Sequence, residues 1–131
     1  MAQKNAYLAS TEDVDFEVAL TKKFSAGLLG GEGFVLQRFS GRGDLFLEAD
    51  GSLMEYDLGY REGLLVDPGH VFVFDDSVDY SIETVKGLKN MMFGGEGAFL
   101  VKLTGPGKVT LQTMPISNLA AKIIPYVPMD N

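Results

Sequence analysis

The sequence predicts an all-β domain built from two related halves, followed by one short C-terminal helix. A glycine-rich segment, Gly30-Gly31-Glu32-Gly33, returns 64 residues later as Gly94-Gly95-Glu96-Gly97. Apolar and polar residues alternate with the two-residue period of strands that bury one face. Turn signals recur about every 8–12 residues, the spacing typical of sandwiches and barrels. We therefore expect one domain over residues 1–131, with pseudo-repeats at 1–64 and 65–128.

The repeat extends on both sides of the glycine-rich segments. Upstream, Val14-Asp15-Phe16 is matched by Val78-Asp79-Tyr80. Downstream, the turn Gly41-Arg42-Gly43 is matched by Gly105-Pro106-Gly107. In each copy the apolar residues of the upstream segment lie on one side of a strand, and we expect that side to face a core. These residues are Val14, Phe16 and Val18 in the first copy and Val78, Tyr80 and Ile82 in the second.

Two further patterns predict how the strands are arranged. Asp50-Gly51 lies between Leu45–Leu47 and Met54–Leu58, and this dipeptide is a strong signal for a two-residue hairpin. The continuous apolar run Val71–Phe74 predicts a strand that is buried on both faces.

The only helical pattern lies near the C-terminus. We expect Ser117 to cap the helix and Pro125 to end it. A helix of about eight residues is not stable alone, so we expect it to dock through its apolar face. That face comprises Leu119, Ala120, Ile123 and Ile124.

Composition limits the classes of function. The net charge of −7 disfavours electrostatic binding to nucleic acid, so no DNA partner is expected. The chain has no cysteine, which excludes disulfides and thiolate metal sites. No apolar run is long enough to span a membrane. The acidic residues among the first 20 positions are unlike a signal peptide, so we expect a cytoplasmic protein.

No motif predicts catalysis. Glu32 and Glu96 could form an acid–base pair, but the repeat accounts for their pairing without chemistry. The glycine-rich segments lack the lysine and following helix of a phosphate loop, so we interpret them as bends or bulges. His70 is the only histidine and cannot supply a metal site by itself. Arg42-Gly43-Asp44 spells an adhesion tripeptide, for which turn chemistry is a sufficient explanation. We expect no enzyme activity, catalytic residue, metal or cofactor.

Apolar residues precede both glycine-rich segments at equivalent positions and are either core or an exposed patch. An exposed patch would serve self-association, protein partners or peripheral membrane contact. The candidate interaction residues are Leu28, Leu29, Glu32, Met91, Met92, Phe93, Glu96, Leu119 and Ile123.

Three segments resemble the mitochondrial-biogenesis family: Phe93–Gly97 (FGGEG), Leu103–Val109 (LTGPGKV) and Leu111–Ala120 (LQTMPISNLA). The resemblance covers residues 6–128 and implies a short double-stranded β-helix or β-sandwich, similar to the tryptophan RNA-binding attenuation protein. It also implies homo-oligomers, often trimers, and a link to inner-membrane organisation in mitochondria. Members carry a further N-terminal β segment, which implies that this chain is a short member or a fragment.

Two functions follow from these observations. The first is a non-catalytic oligomeric scaffold or interaction protein, with a trimer as the favoured assembly. The second is a regulatory protein that binds a small ligand or RNA, which rests on the similarity in fold alone.

Overall fold

The computed structural model describes residues 1–22, 33–84 and 99–130, and these ranges form antiparallel sheets with one short helix at the C-terminal end. The predicted all-β class with a short C-terminal helix is confirmed. The strands are β1 (Ala2–Gln3), β2 (Tyr7–Ser10), β3 (Val14–Lys22), β4 (Phe34–Gly41), β5 (Leu45–Leu47), β6 (Leu53–Leu58), β7 (Gly63–Val66), β8 (Val71–Phe74), β9 (Asp79–Thr84), β10 (Phe99–Thr104) and β11 (Gly107–Gln112). The helix is α1 (Ile116–Ile123), and 3-10 turns span Lys4–Ala6, Pro68–His70 and Ile124–Tyr126.

The strands form three sheets. A six-stranded sheet has the order β3-β4-β1-β8-β11-β6, a three-stranded sheet the order β7-β10-β9, and a two-stranded sheet pairs β2 with β5. Within the six-stranded sheet, β1 meets β8 at the single pair Ala2–Val73. The adjacent pair, Met1 and Phe74, exchanges two 2.9 Å hydrogen bonds, because Met1 N donates to Phe74 O and Phe74 N donates to Met1 O. We call this contact the β1–β8 junction.

Strand pairings recur at the offset of 64 residues that the sequence repeat shows. In the pairing of β3 with β4, Phe16 lies opposite Phe39, and in the pairing of β9 with β10, Tyr80 lies opposite Leu103. The pair β2-β5 corresponds in the same way to β8-β11, and each contains a register shift at the equivalent position. The pseudo-repeat at 1–64 and 65–128 stays a prediction, and these pairings have the registers that it would require.

The turns before β5 and β11 are built alike with different side chains. Thr11 N donates to Asp44 O, and Asp75 N donates to Lys108 O, both at 3.0 Å. In return, Asp44 N donates to the Thr11 hydroxyl at 3.0 Å, and Lys108 N donates to the Asp75 carboxylate at 2.8 Å. Gly107 has φ of +147°, and a Cβ there would lie 2.6 Å from Ser77 Oγ, so the second turn requires glycine.

The core lies between the six-stranded and three-stranded sheets. Phe34 and Phe99, one from each sheet, have ring centroids 6.3 Å apart. In β8, Val71, Phe72 and Phe74 are buried and Val73 is half-buried, so the predicted buried strand is present. In the described ranges, the largest side chains that are essentially inaccessible are Phe34, Leu36, Val71, Val101, Leu103 and Val109.

The expectation that the alternating apolar residues of both halves face a core is wrong for the first half. Phe16 and Val18 are 57% and 61% exposed, whereas Val78 is buried and Tyr80 is half-buried. The reason is the width of the covering sheet. Within residues 1–22, 33–84 and 99–130, the two-stranded sheet β2-β5 packs beside β3 and β4, where Tyr7 stacks on Phe39 at 5.8 Å and leaves Phe16 exposed.

The predicted hairpin at Asp50-Gly51 is also wrong. Gly51 has φ of +87°, as a tight turn requires, but β5 and β6 on either side of it lie in different sheets. β5 pairs with β2, and β6 pairs with β11 along six residues from Leu53 to Leu58. β6 makes more backbone hydrogen bonds with β11 than it could make with the three-residue β5. It therefore pairs with the strand that is distant in sequence.

We predict that Leu103→Ala lowers the free energy of unfolding by about 2–5 kcal/mol, since it removes a fully buried side chain from β10. Leu53→Ala, at an exposed position of β6, is the matched control and should cost about 0.5 kcal/mol or less. Urea unfolding followed by circular dichroism measures both. Equal losses for the two variants would show that the core does not lie between these sheets.

Candidate interaction site

The C-terminal helix is attached to the sheets by polar contacts at its first turn. Ile116 N donates to the Asp50 carboxylate at 3.0 Å, and Asp50 N donates to Gln112 Oε1 at 2.9 Å. Met114 N donates to Asp50 O at 3.1 Å. The loop that the sequence predicts as a hairpin therefore holds the start of α1, and a carboxylate at a helix N-terminus is electrostatically favourable.

Ser117 does not cap α1, contrary to the sequence prediction. The helix begins at Ile116 with Pro115 at the N-cap, and no side chain of the cap residue accepts a hydrogen bond. Asp50, distant in sequence, supplies the acceptor that Ser117 was expected to provide. A contact between residues 66 positions apart leaves no local sequence signal.

The apolar face of α1 is largely uncovered by the described part of the chain. Leu119 and Ile123, both predicted interaction residues, are exposed, and no residue of the helix is buried. The segment that follows also exposes large apolar side chains. These are Ile124, Tyr126, Val127 and Met129.

His70 connects α1 to the body of the protein. Its Nδ1 lies 2.8 Å from Gln112 O, and its Nε2 lies 3.2 Å from Asn118 Nδ2. A carbonyl oxygen can only accept, so Nδ1 carries the proton and Nε2 accepts from the Asn118 amide. His70 lies in the 3-10 turn immediately before β8, and its two nitrogens are engaged in structural contacts.

An open groove of about 350 Å³ lies beside β7 and next to His70. Its walls are mostly apolar, and its polar members are Asp67, Gln112 and Thr113 as well as His70. The apolar lining residues are Met54, Leu64, Leu65, Val66 and Leu111. A separate polar cavity near Gly33 has a volume of only about 30 Å³, which is room for a water molecule rather than an organic ligand.

Sequence reasoning missed the exposed apolar residues at the strand edges. Leu8 on β2 and Leu65 on β7 both lie on outermost strands and are mostly exposed. Their sequence neighbours are ordinary strand residues and carry no signal of exposure. The one available signal is the 64-residue offset, which relates each leucine to an apolar residue of the other half. Leu8 corresponds to Phe72, which is buried, and this contrast needs the structure.

The family model described as mitochondrial biogenesis AIM24 matches residues 1–114. The chain belongs to this family. The crystal structure of protein SPYM3_0169 from Streptococcus pyogenes is similar to this member of the AIM24 family, with a TM-score of 0.73 and 18% sequence identity. The match covers 96% of this chain and 54% of that protein, so the chain spans about half its length. No curated protein matches the chain.

Several predicted interaction residues lie outside the described ranges. They are Leu28, Leu29, Glu32, Met91, Met92, Phe93 and Glu96. Within residues 1–22, 33–84 and 99–130 no group of three potential metal-ligating acidic or histidine side chains occurs. In the same ranges, no helix has the length and apolar character needed to cross a membrane.

Charges cluster near the β1–β8 junction. Arg38 lies 2.9 Å from Asp76 and 3.5 Å from Glu17, and the hydrogen bond to Asp76 raises the pKa of its guanidinium. Burial lowers the pKa of the Met1 amino group, because desolvation disfavours the charged form, and the nearby Asp76 acts in the opposite direction. The exposed Arg38 pairs contribute little to stability, as is usual for surface ion pairs.

We predict that Asp50→Ala loosens the first turn of α1. Losing an acceptor at a helix start costs about 1 kcal/mol, so amide exchange of residues 116–119 should accelerate about fivefold. The backbone bonds of residue 50 remain, so the variant tests the carboxylate alone. Glu55→Ala, which removes an exposed carboxylate on β6, is the control, and hydrogen exchange measured by NMR is the assay. Unchanged exchange in Asp50→Ala would mean that the carboxylate does not hold the helix.

Proposed function

We propose that this member of the AIM24 family is a homo-oligomeric interaction protein that acts as a scaffold and performs no catalysis, with a trimer as the favoured assembly. The observation that carries the proposal is the number of large apolar side chains exposed on strand edges and on the C-terminal segment. On the strands they include Leu8, Phe16, Val18, Phe46, Leu53, Met54 and Leu65.

Exposed apolar residues scattered singly are ordinary, but neighbouring ones mark an interaction surface. Here Phe16 and Val18 lie on the same side of β3, and Tyr7 and Phe39 pack beside Phe16 within 6 Å between ring centroids. Unpaired strand edges add to the tendency to associate, because they present free backbone donors and acceptors. Association with a protein surface would bury the exposed apolar side chains and pair the strand edges.

The charge of the chain supports a protein partner over a nucleic acid. A net charge of −7 repels phosphate backbones, whereas copies of an acidic protein can still associate through apolar surface. The C-terminal segment from 116 to 129, most of whose residues are exposed, contains one charged residue, Lys122. Binding to an anionic membrane draws on several basic residues, so this segment supports a protein contact better than a peripheral membrane contact.

The groove beside β7 supports a second candidate function, which is binding of a small ligand. Its volume of about 350 Å³ falls in the range of ligand sites, and its apolar walls with a few polar groups match their usual composition. A thermal-shift screen with amino acids, nucleotides and RNA tests this candidate. A shift that Leu111→Asp abolishes would support it, and no shift with any compound would reject it.

Light scattering coupled to size-exclusion chromatography tests the leading proposal. We expect a single species whose mass is an integral multiple of the 14.2 kDa chain and which persists on dilution to low micromolar concentration. A monomer at all concentrations that also captures no protein partner would reject the proposal.

A further inference from the structure

We propose that copies of this chain associate edge to edge, with β7 of one copy pairing antiparallel with β2 of the next. In this pairing Val66 lies opposite Ala9 of the next copy. The inference rests on the proposed oligomeric function and specifies its interface. The resulting sheet contains β9-β10-β7 from one copy followed by β2-β5 from the next.

The template is the β1–β8 junction inside the chain. β1 is the edge of the first three-strand unit, β3-β4-β1, and β8 is the edge of the second pair, β8-β11. The chain joins these edges at Ala2–Val73 and with the two 2.9 Å bonds between Met1 and Phe74. An interface of this geometry is therefore compatible with the backbone of this fold.

The equivalent edges of the other two units are open. At the offset of 64 residues, β7 corresponds to β1 and β2 corresponds to β8. In the described ranges, β7 pairs only with β10, and β2 pairs only with β5. The pair Val66–Ala9 is the counterpart of Ala2–Val73, and Leu65 and Ser10 stand where Met1 and Phe74 exchange their bonds.

Burial supports the equivalence. At the closed junction Met1 is 8% exposed and Phe72 is 6% exposed. Their counterparts at the open edges, Leu65 and Leu8, are 59% and 62% exposed. Apolar residues thus occupy the same places in both settings, and they are buried only at the closed junction, where Met1 also packs in the core. A second copy that docks as β8 docks on β1 covers both leucines.

The groove and the charges fit the same partner. The groove of about 350 Å³ runs along the free side of β7 and is lined by Leu65, so an arriving β2 meets apolar walls. At the closed junction the Gln3 amide donates to Pro68 O at 2.6 Å. The counterparts of these residues are Asp67, whose carboxylate accepts from Gly69 N at 3.0 Å, and Lys4, and their side chains carry opposite charges. Opposite charges favour this register over others.

The interface is heterologous, because β7 meets β2 and not another β7. Each copy keeps one free edge of each kind, so association continues until the arrangement closes on itself. A closed ring is the expected product, and its number of copies follows from the rotation between neighbours.

Leu65→Asp and Leu8→Asp test the two edges separately. Each places a carboxylate where the interface excludes water and should weaken association by about 100-fold, the size of effect typical of an interface hot spot. Both positions are exposed within one copy, so the fold should persist, and circular dichroism verifies this. Tyr60→Asp, at a position 76% exposed in a loop, is the matched control and should assemble as the unmodified chain does.

Mixing the two variants tests the direction of the contact. Leu8→Asp retains a working β7, and Leu65→Asp retains a working β2, so an equal mixture should form a heterodimer and nothing larger. Each variant alone should be monomeric. Assembly of either variant alone to the size of the unmodified protein, or no heterodimer from the mixture, would overturn the inference.

Disulfide trapping tests the register, and the absence of native cysteine makes the readout clean. Ala9→Cys with Val66→Cys in one chain should give covalently linked oligomers on oxidation, since directly opposed strand residues lie within disulfide reach. Ser10→Cys with Val66→Cys places the thiols on opposite faces and should not. Equal linking in both would overturn the register. An unmodified chain that is monomeric at all concentrations and captures no protein partner would reject the proposed function itself. A monomeric chain that does capture a partner, or an oligomer indifferent to both edge variants, would reject only this interface.

Discussion

Two backbone hydrogen bonds between Met1 and Phe74 join the first half of the chain to the sheet of the second. The six-stranded sheet exists because of this contact, since it links β3-β4-β1 to β8-β11-β6. The core then forms between that sheet and the three-stranded sheet, with Phe34 from one facing Phe99 from the other. Ala2 has no accessible surface, so even the smallest side chain at the contact is enclosed.

The two halves use one pattern of residues in different surroundings. In the second half, the apolar side of β9 meets a sheet that spans six strands, and Val78 is buried. In the first half, the described residues place only the two-stranded sheet β2-β5 beside the apolar side of β3, and Phe16 stays exposed. The two strands differ in how much of their apolar surface a facing sheet covers. The hydrophobic effect stabilises only apolar surface that a neighbouring element removes from water. Phe16 and Val18 therefore remain apolar surface, whereas their counterparts Tyr80 and Ile82 pack against the core.

The strand class, the turns and the buried run Val71–Phe74 could be predicted from sequence because each depends on neighbouring residues. The partners of β5 and β6 could not, because Asp50-Gly51 has the local chemistry of a hairpin and only the distant β11 overrides it. The start of α1 shows the same limit, since Asp50 replaces the expected cap at Ser117. For the interaction site, Leu119 and Ile123 follow from helical spacing, but Leu8 and Leu65 require knowledge of which edges remain open.

The pairing of β6 with β11 makes the folding of the two halves interdependent. β6 comes from the first 64 residues, yet it pairs with β11, while β1 from the same half pairs with β8 on the other side. The pair β8-β11, from the second half, is therefore flanked on both sides by strands of the first half. Cutting the chain between β6 and β7 would remove β1 and β6 from the two sides of β8-β11. Neither fragment would then contain the complete six-stranded sheet. Because these pairings join residues 1–64 to residues 65–128, we expect the two parts to unfold together in one transition.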